Sequence, residues 1–145
     1  MHPMIRSALV LFGGVVLAAM VVVLMDAVVG RIYPLPAGID PRNTESMRQA
    51  VAAMPATAFV LLLTGWVLAA GVGSWFATRL ATQSPPTHGL IVALFVLVAT
   101  IANLAAIPHP MWLWPAAIIL IPAAGWAATR LVVRPTVVSS GSSGT

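Results

Sequence analysis

Long apolar runs separated by short polar breaks make up most of this chain. The first run, Ile5 to Val29, is interrupted only by Arg6, Ser7 and Asp26. The second extends from Ala56 to about Ala81, and the third from Gly89 to Ile107, with Thr100 and Asn103 as its polar positions. The fourth extends from Met111 to about Val133. Runs of ~18 or more apolar residues with few charges are long enough to cross a bilayer as helices. As a helix the first run would measure about 37 Å, enough to cross with some tilt. A secretory signal is the competing reading, but its apolar core would span only ~7–15 residues and end in a small-x-small site. No A-x-A follows this run, so it is read as the first span. The pattern predicts an all-α membrane protein, a four-transmembrane-helix bundle of two helical hairpins, forming a single domain over residues 1–136.

The breaks carry their own signals. Gly30 to Pro55 is the one long polar segment, and its R-I-Y-P-L-P-A-G stretch is rich in turn formers. Asp40-Pro41 has the form of an N-cap followed by proline at the first helical position. From there Met47, Ala50, Val51 and Met54 recur at helical spacing, opposite Arg42, Glu45 and Gln49. This predicts a short amphipathic helix over about 41–54, lying at the membrane surface. Thr82 to His88, with two prolines, reads as a turn, as does Pro108-His109-Pro110. Pro115 falls in the first turn of the fourth span, whereas Pro122 removes a mid-helix hydrogen bond and predicts a kink. In the second span Gly65, Ala69, Gly73 and Ala77 repeat every fourth position, a small-residue face suited to close helix packing. The end, S-S-G-S-S-G-T, resembles a flexible linker over residues 137–145.

Composition agrees with this layout. Of 145 residues 60% are hydrophobic and 7% charged, against roughly a quarter charged in soluble domains. With no cysteine, disulfides, thiolate metal sites and thiol nucleophiles are excluded. His2, His88 and His109 have no ligand-like spacing, so no metal site and no cofactor is expected. The net charge of +4 comes from seven arginines scattered at helix ends, which argues for topology signals rather than a nucleic-acid surface. Four crossings put both termini on one side, with Arg6, Arg79, Arg130 and Arg134. Arg31, Arg42 and Arg48 lie opposite, accompanied by Asp40 and Glu45. The positive-inside rule then places both termini in the cytoplasm of a cell (inner) membrane. Trp112 and Trp114 would anchor the outer interface and Trp75 and Trp126 the inner one; Trp66 falls mid-span and reads as core or lipid-facing bulk.

The same crossing pattern sorts the scarce polar side chains by depth. Asp26, Tyr33, Asn103 and His109 all fall at the level of the outer leaflet, where they can converge. An ionisable residue inside a span is costly and usually faces the bundle interior with a partner. For Asp26 the plain reading is pairing with Arg31 or Arg48; the sharper one is a proton or cation acceptor, or a ligand contact, in an outward cavity. Asn103 reads plainly as an interhelical hydrogen-bonding residue, and His109 as a solvated turn residue.

Three of these positions belong to longer motifs. Asp26 near the end of the first span, Y-P-L-P-A-G over 33–38 and N-L-A-A-I-P-H-P-M-W over 103–112 together resemble a group of small four-span bacterial membrane proteins. That group carries an acidic residue near the end of its first span, a Y-P-x-P-x-G loop and an N-x-x-x-I-P-H-P-x-W segment. The resemblance covers most of residues 5–133 and implies a four-span fold, with no activity attached to it. It departs at Asp26, where the longer glutamate is expected, which shortens the reach of the carboxylate.

Three classes of function fit these residues. A non-enzymatic binding, structural or accessory bundle fits the absence of a catalytic constellation; its partners would be the lipid bilayer, a homo-oligomer or another membrane protein, with the small-residue face as the candidate contact. A small transporter, or a binder of a lipophilic or cationic ligand, would use Asp26, Asn103 and His109 in an outward pocket. An intramembrane enzyme has only Asp26 with His109 to offer as an acid–base pair, with no H-E-x-x-H, nucleophile elbow or phosphate loop. The first of these is the reading the sequence favours.

Overall fold

The computed structural model describes residues 3–40 and 42–133. It contains the helices α1 (Pro3–Ile32), α2 (Thr44–Ala52), α3 (Ala56–Leu80), α4 (Pro85–Ala106) and α5 (Leu113–Val132). α1, α3, α4 and α5 are each long and apolar enough to cross a membrane. His2, Pro41, Arg134 and the serine-rich tail lie outside the described residues.

Element boundaries depart from the sequence reading where end chemistry intervenes. α1 continues one turn past Val29, with Arg31 in its last turn, where a cation faces the negative end of the helix dipole. α2 begins at Thr44, not at Pro41. Its cap is Asn43, whose side-chain oxygen accepts the N–H of Glu45 at 3.0 Å and of Ser46 at 3.1 Å. Asp40 instead closes a local turn, its carboxylate accepting the Arg42 N–H at 2.9 Å, as short acidic side chains do before helices. α4 begins at Pro85, four residues earlier than Gly89, because Pro85 and Pro86 occupy the first helical positions. A missing N–H costs nothing there, and the fixed proline φ suits a helix start. Pro122 lies inside α5, which runs through it.

α3 is the central helix. It packs against α1, α4 and α5, while α1 touches α4 over a shorter length and, among the described residues, does not touch α5. The small-residue face of α3 explains this: Gly65, Ala69, Gly73 and Ala77 are all buried. A Cβ at Gly73 would stand 2.8 Å from the Gly14 carbonyl oxygen of α1, 2.9 Å from the Ala18 Cβ and 2.9 Å from Val92 of α4. One at Gly65 would meet Met25 at 2.7 Å. The face is therefore consumed inside the bundle and is not free to receive a partner, which corrects that part of the accessory-bundle reading. On α5, a Cβ at Gly125 would collide with Ala93, so α4 and α5 close at that level. Near the α3–α4 turn, the Ser74 hydroxyl donates to the Gly89 carbonyl at 2.8 Å and the Thr78 hydroxyl to the Ser74 carbonyl at 2.8 Å. Buried hydroxyls thereby find backbone partners, as burial requires.

α1 packs unevenly. Its buried residues are Val10, Gly14, Ala18 and Val29, with none between the last two. Over that interval α1 keeps its contact with α3 at Gly65 but stands off from α4. The space left between them is where the polar residues of the bundle gather.

Candidate functional site

Asp26, Tyr33, Asn103 and His109 line one cavity of about 490 Å³ at the end of the bundle where α1 finishes and α3 begins. Each arrives from a different segment: Asp26 from α1, Tyr33 from the loop after it, Asn103 from the last turn of α4 and His109 from the α4–α5 turn. Met47, Val51 and Met54 from the α2 segment form one wall, and Phe59 and Leu62 of α3 another. The apolar stripe of α2 is thus spent on covering this cavity.

A second cavity of about 310 Å³ lies deeper, between α1 and α4. Val15, Ala18, Val22, Phe95, Val96 and Ala99 line its sides, and buried Trp66 of α3 also borders it. Asp26 and Asn103 line both cavities. They stand where the two spaces meet. Val23 and Phe95, on opposite lips of the deeper cleft, are exposed on the outside of the bundle, so the cleft opens towards the surface that lipid would cover.

The hydrogen bonding of the four polar side chains divides them into pairs. The Tyr33 and Thr57 hydroxyls share a hydrogen bond of 2.8 Å, tying the end of α1 to the start of α3. His109 Nδ1–H donates to the Ile107 carbonyl at 2.7 Å, which leaves Nε2 as an acceptor. By contrast, Asp26 has no charge partner or hydrogen-bond donor among the described residues, and the pairing with Arg31 or Arg48 is not formed. The Asn103 carboxamide likewise has no partner among them; its polar atoms are not sealed away without one but open to the cavities.

His109 is not the solvated turn residue its two flanking prolines suggest. The ring is half-buried, edge-on to Phe59 at 6.1 Å and to Trp66 at 6.3 Å between centroids. Burial holds the imidazole below its ordinary pKa, against the opposing pull of the Ile107 hydrogen bond, so the neutral ring is favoured. Trp66, 3% exposed, is core. That is one of the two readings its mid-span position allowed; its contact with His109, and the roles of Thr57 and Phe59, are not legible in the sequence. The nearest signal is that α3 starts at the same end as the polar group, which puts its first turns beside them.

The remaining candidates lie elsewhere. Trp112 is exposed at the cavity end of the bundle, and Trp114 is half-buried against the core. Trp75 and Trp126 are exposed towards the opposite end, where the Arg130 guanidinium lies 5.0 Å from the centre of the Trp126 ring. No family model, curated protein or solved structure matches the chain.

Proposed function

We propose that this chain is a multi-pass protein of the bacterial inner membrane, with both termini cytoplasmic, that binds a small ligand in its outward cavity without transforming it. One observation supports the reading above the others. In a chain with so few polar side chains, four from separate segments line a single cavity of about 490 Å³, within the ~300–1,000 Å³ typical of ligand sites. The loop and segment that carry the likeness to the small four-span bacterial proteins both end at this cavity, through Tyr33 and Pro34 and through Asn103 and His109. Membership of that group is part of the proposal.

Catalysis is the weaker reading, because the nearby hydroxyls of Tyr33 and Thr57 are bonded to one another and, among the described residues, no activated nucleophile stands beside His109. A transport pathway is also less favoured. Below the deeper cleft, Gly14, Gly73 and Val92 meet in contacts that a single methyl group would overfill, and no broken helix among the described residues opens a route past them.

Gly30 provides the test. It lines the cavity, and a Cβ there meets nothing within 4 Å, so Gly30→Phe fills the space without straining the bundle. The purified protein in mild detergent is heated with a panel of cationic, neutral and anionic amphiphiles of equal tail length. Binding to the folded state raises the melting temperature. A rise for some member of the panel in the unmodified protein, absent in Gly30→Phe, is the expected result. Equal behaviour of both proteins across the whole panel rules the reading out.

A further inference from the structure

The proposed binding site takes a ligand but leaves its chemistry open, and the two cavities together narrow it. Of the four polar side chains, Tyr33 and His109 are already engaged with Thr57 and with the Ile107 carbonyl. The two without partners among the described residues, Asp26 and Asn103, are the two that border both cavities. A carboxylate in a low-dielectric setting calls for a cation with N–H donors, and the carboxamide oxygen beside it accepts a further N–H. The deeper cleft, by contrast, has apolar side chains along its length from Val15 to Val23 on α1. From Val15 to Asp26 it follows α1 for about 16 Å, close to half of the ~30 Å hydrocarbon core. A single alkyl chain one leaflet long fits that dimension.

Building on the binding role proposed above, we infer that the ligand is a single-chain cationic amphiphile. Its ammonium group sits between Asp26 and Asn103, and its tail lies in the α1–α4 cleft against Trp66. It enters sideways between Val23 and Phe95, from the lipid. Because lipid solvates an alkyl tail as well as the cleft does, the tail sets position and the Asp26 carboxylate sets affinity. The head decides what binds.

The experiment uses the full chain in lipid nanodiscs and dodecylamine brominated on its tail, which quenches tryptophan on contact. Dodecanol and dodecanoate with the same bromination carry the tail without the cation, and a Trp66→Phe variant identifies the quenching that arises in the cleft. Expected is saturable quenching by the amine at a concentration about tenfold lower than by the alcohol, the size of one charge-assisted hydrogen bond. Asp26→Asn should remove that preference while leaving the fold intact. Ala99→Phe, on an exposed residue lining the cleft, should abolish the saturable component. If Gly30→Phe blocks the amine while Ala99→Phe and Asp26→Asn do not, binding is confined to the outer cavity: this inference falls and the binding role stands. If none of the three variants changes binding, both fall. Displacement of the amine by single-chain lysophosphatidylethanolamine added to the disc would assign the ammonium to a lipid headgroup, and its absence to a free amine; either supports an ammonium at Asp26.

Discussion

The imidazole of His109 stands edge-on to the indole of Trp66, with 6.3 Å between ring centroids, although Trp66 lies about 15 Å along α3 from its first residue. The α4–α5 turn therefore folds inward, not out into solvent. This placement gives His109 a pH signature. Burial lowers its pKa from the ordinary 6.5, so the unfolded chain takes up a proton more readily than the folded one. The stabilisation from a neutral His109 is complete above about pH 6.5 and is lost as pH falls towards the depressed folded value. Asp26 lines the same cavity as His109, and Arg48 of α2 lines a separate groove with His109. Melting curves from about pH 8 to about pH 5 should show a drop in the unmodified protein that His109→Gln flattens. An unchanged slope in the variant would place the titration elsewhere.

Two glycines of α3 should respond oppositely to the same change. At Gly73 a methyl group would press on the Gly14 carbonyl oxygen at 2.8 Å, and overpacking of this kind costs about 1–3 kcal/mol. At Gly71 a Cβ meets nothing within 4 Å, so Gly71→Ala should gain about 0.5–1 kcal/mol of helix propensity. Denaturation of the two variants in one detergent checks the contrast; equal effects would contradict the α1–α3 contact described here.

Asn43 caps the helix that covers the outer cavity. Asn43→Ala removes the acceptor for the Glu45 and Ser46 N–H groups and should cost α2 about 1 kcal/mol. Because α2 is only nine residues long, that loss should appear as several-fold faster amide exchange across Thr44–Ala52, with α3 unaffected. Protection equal to that of the unmodified protein would show that packing against the cavity, not the cap, holds α2.

The Tyr33–Thr57 hydrogen bond joins two segments that are distant in sequence. Tyr33→Phe and Thr57→Val should each lower stability by about 1 kcal/mol. In a double-mutant cycle the second change should cost much less once the first is made. Fully additive losses would show that the two hydroxyls act independently.

Hydrophobic run length made the four spans and their order legible, because a bilayer-crossing helix has to be both long and apolar. The α2 stripe was legible as well, through Met47, Val51 and Met54 at helical spacing. Helix ends were less so. Asp40 and Asn43 carry nearly the same capping chemistry three residues apart, and the sequence alone does not rank them. Pro85 and Pro86 break one helix and begin the next, two roles that a proline pair signals equally. Crossing depth put Asp26, Tyr33, Asn103 and His109 at one level, but level is not direction. Whether side chains at one depth face one space depends on how far α1 stands from α4, and that distance is set by Gly14, Ala18 and Gly73, well away from the polar residues themselves.

α1 buries the least of its apolar window of the four spans, 17%, and has the highest mean hydropathy, 2.9. A carboxylate at the middle of a span adds ~2.5–3.5 kcal/mol to insertion, and each Leu, Ile, Val or Phe returns ~0.3–0.6 kcal/mol. α1 holds enough of these to offset Asp26 unaided. Lying N-terminal to α3 and α4, it can partition into the bilayer before those two helices are made. Asp26 is then already in place near the end of α1 when the later helices assemble around it.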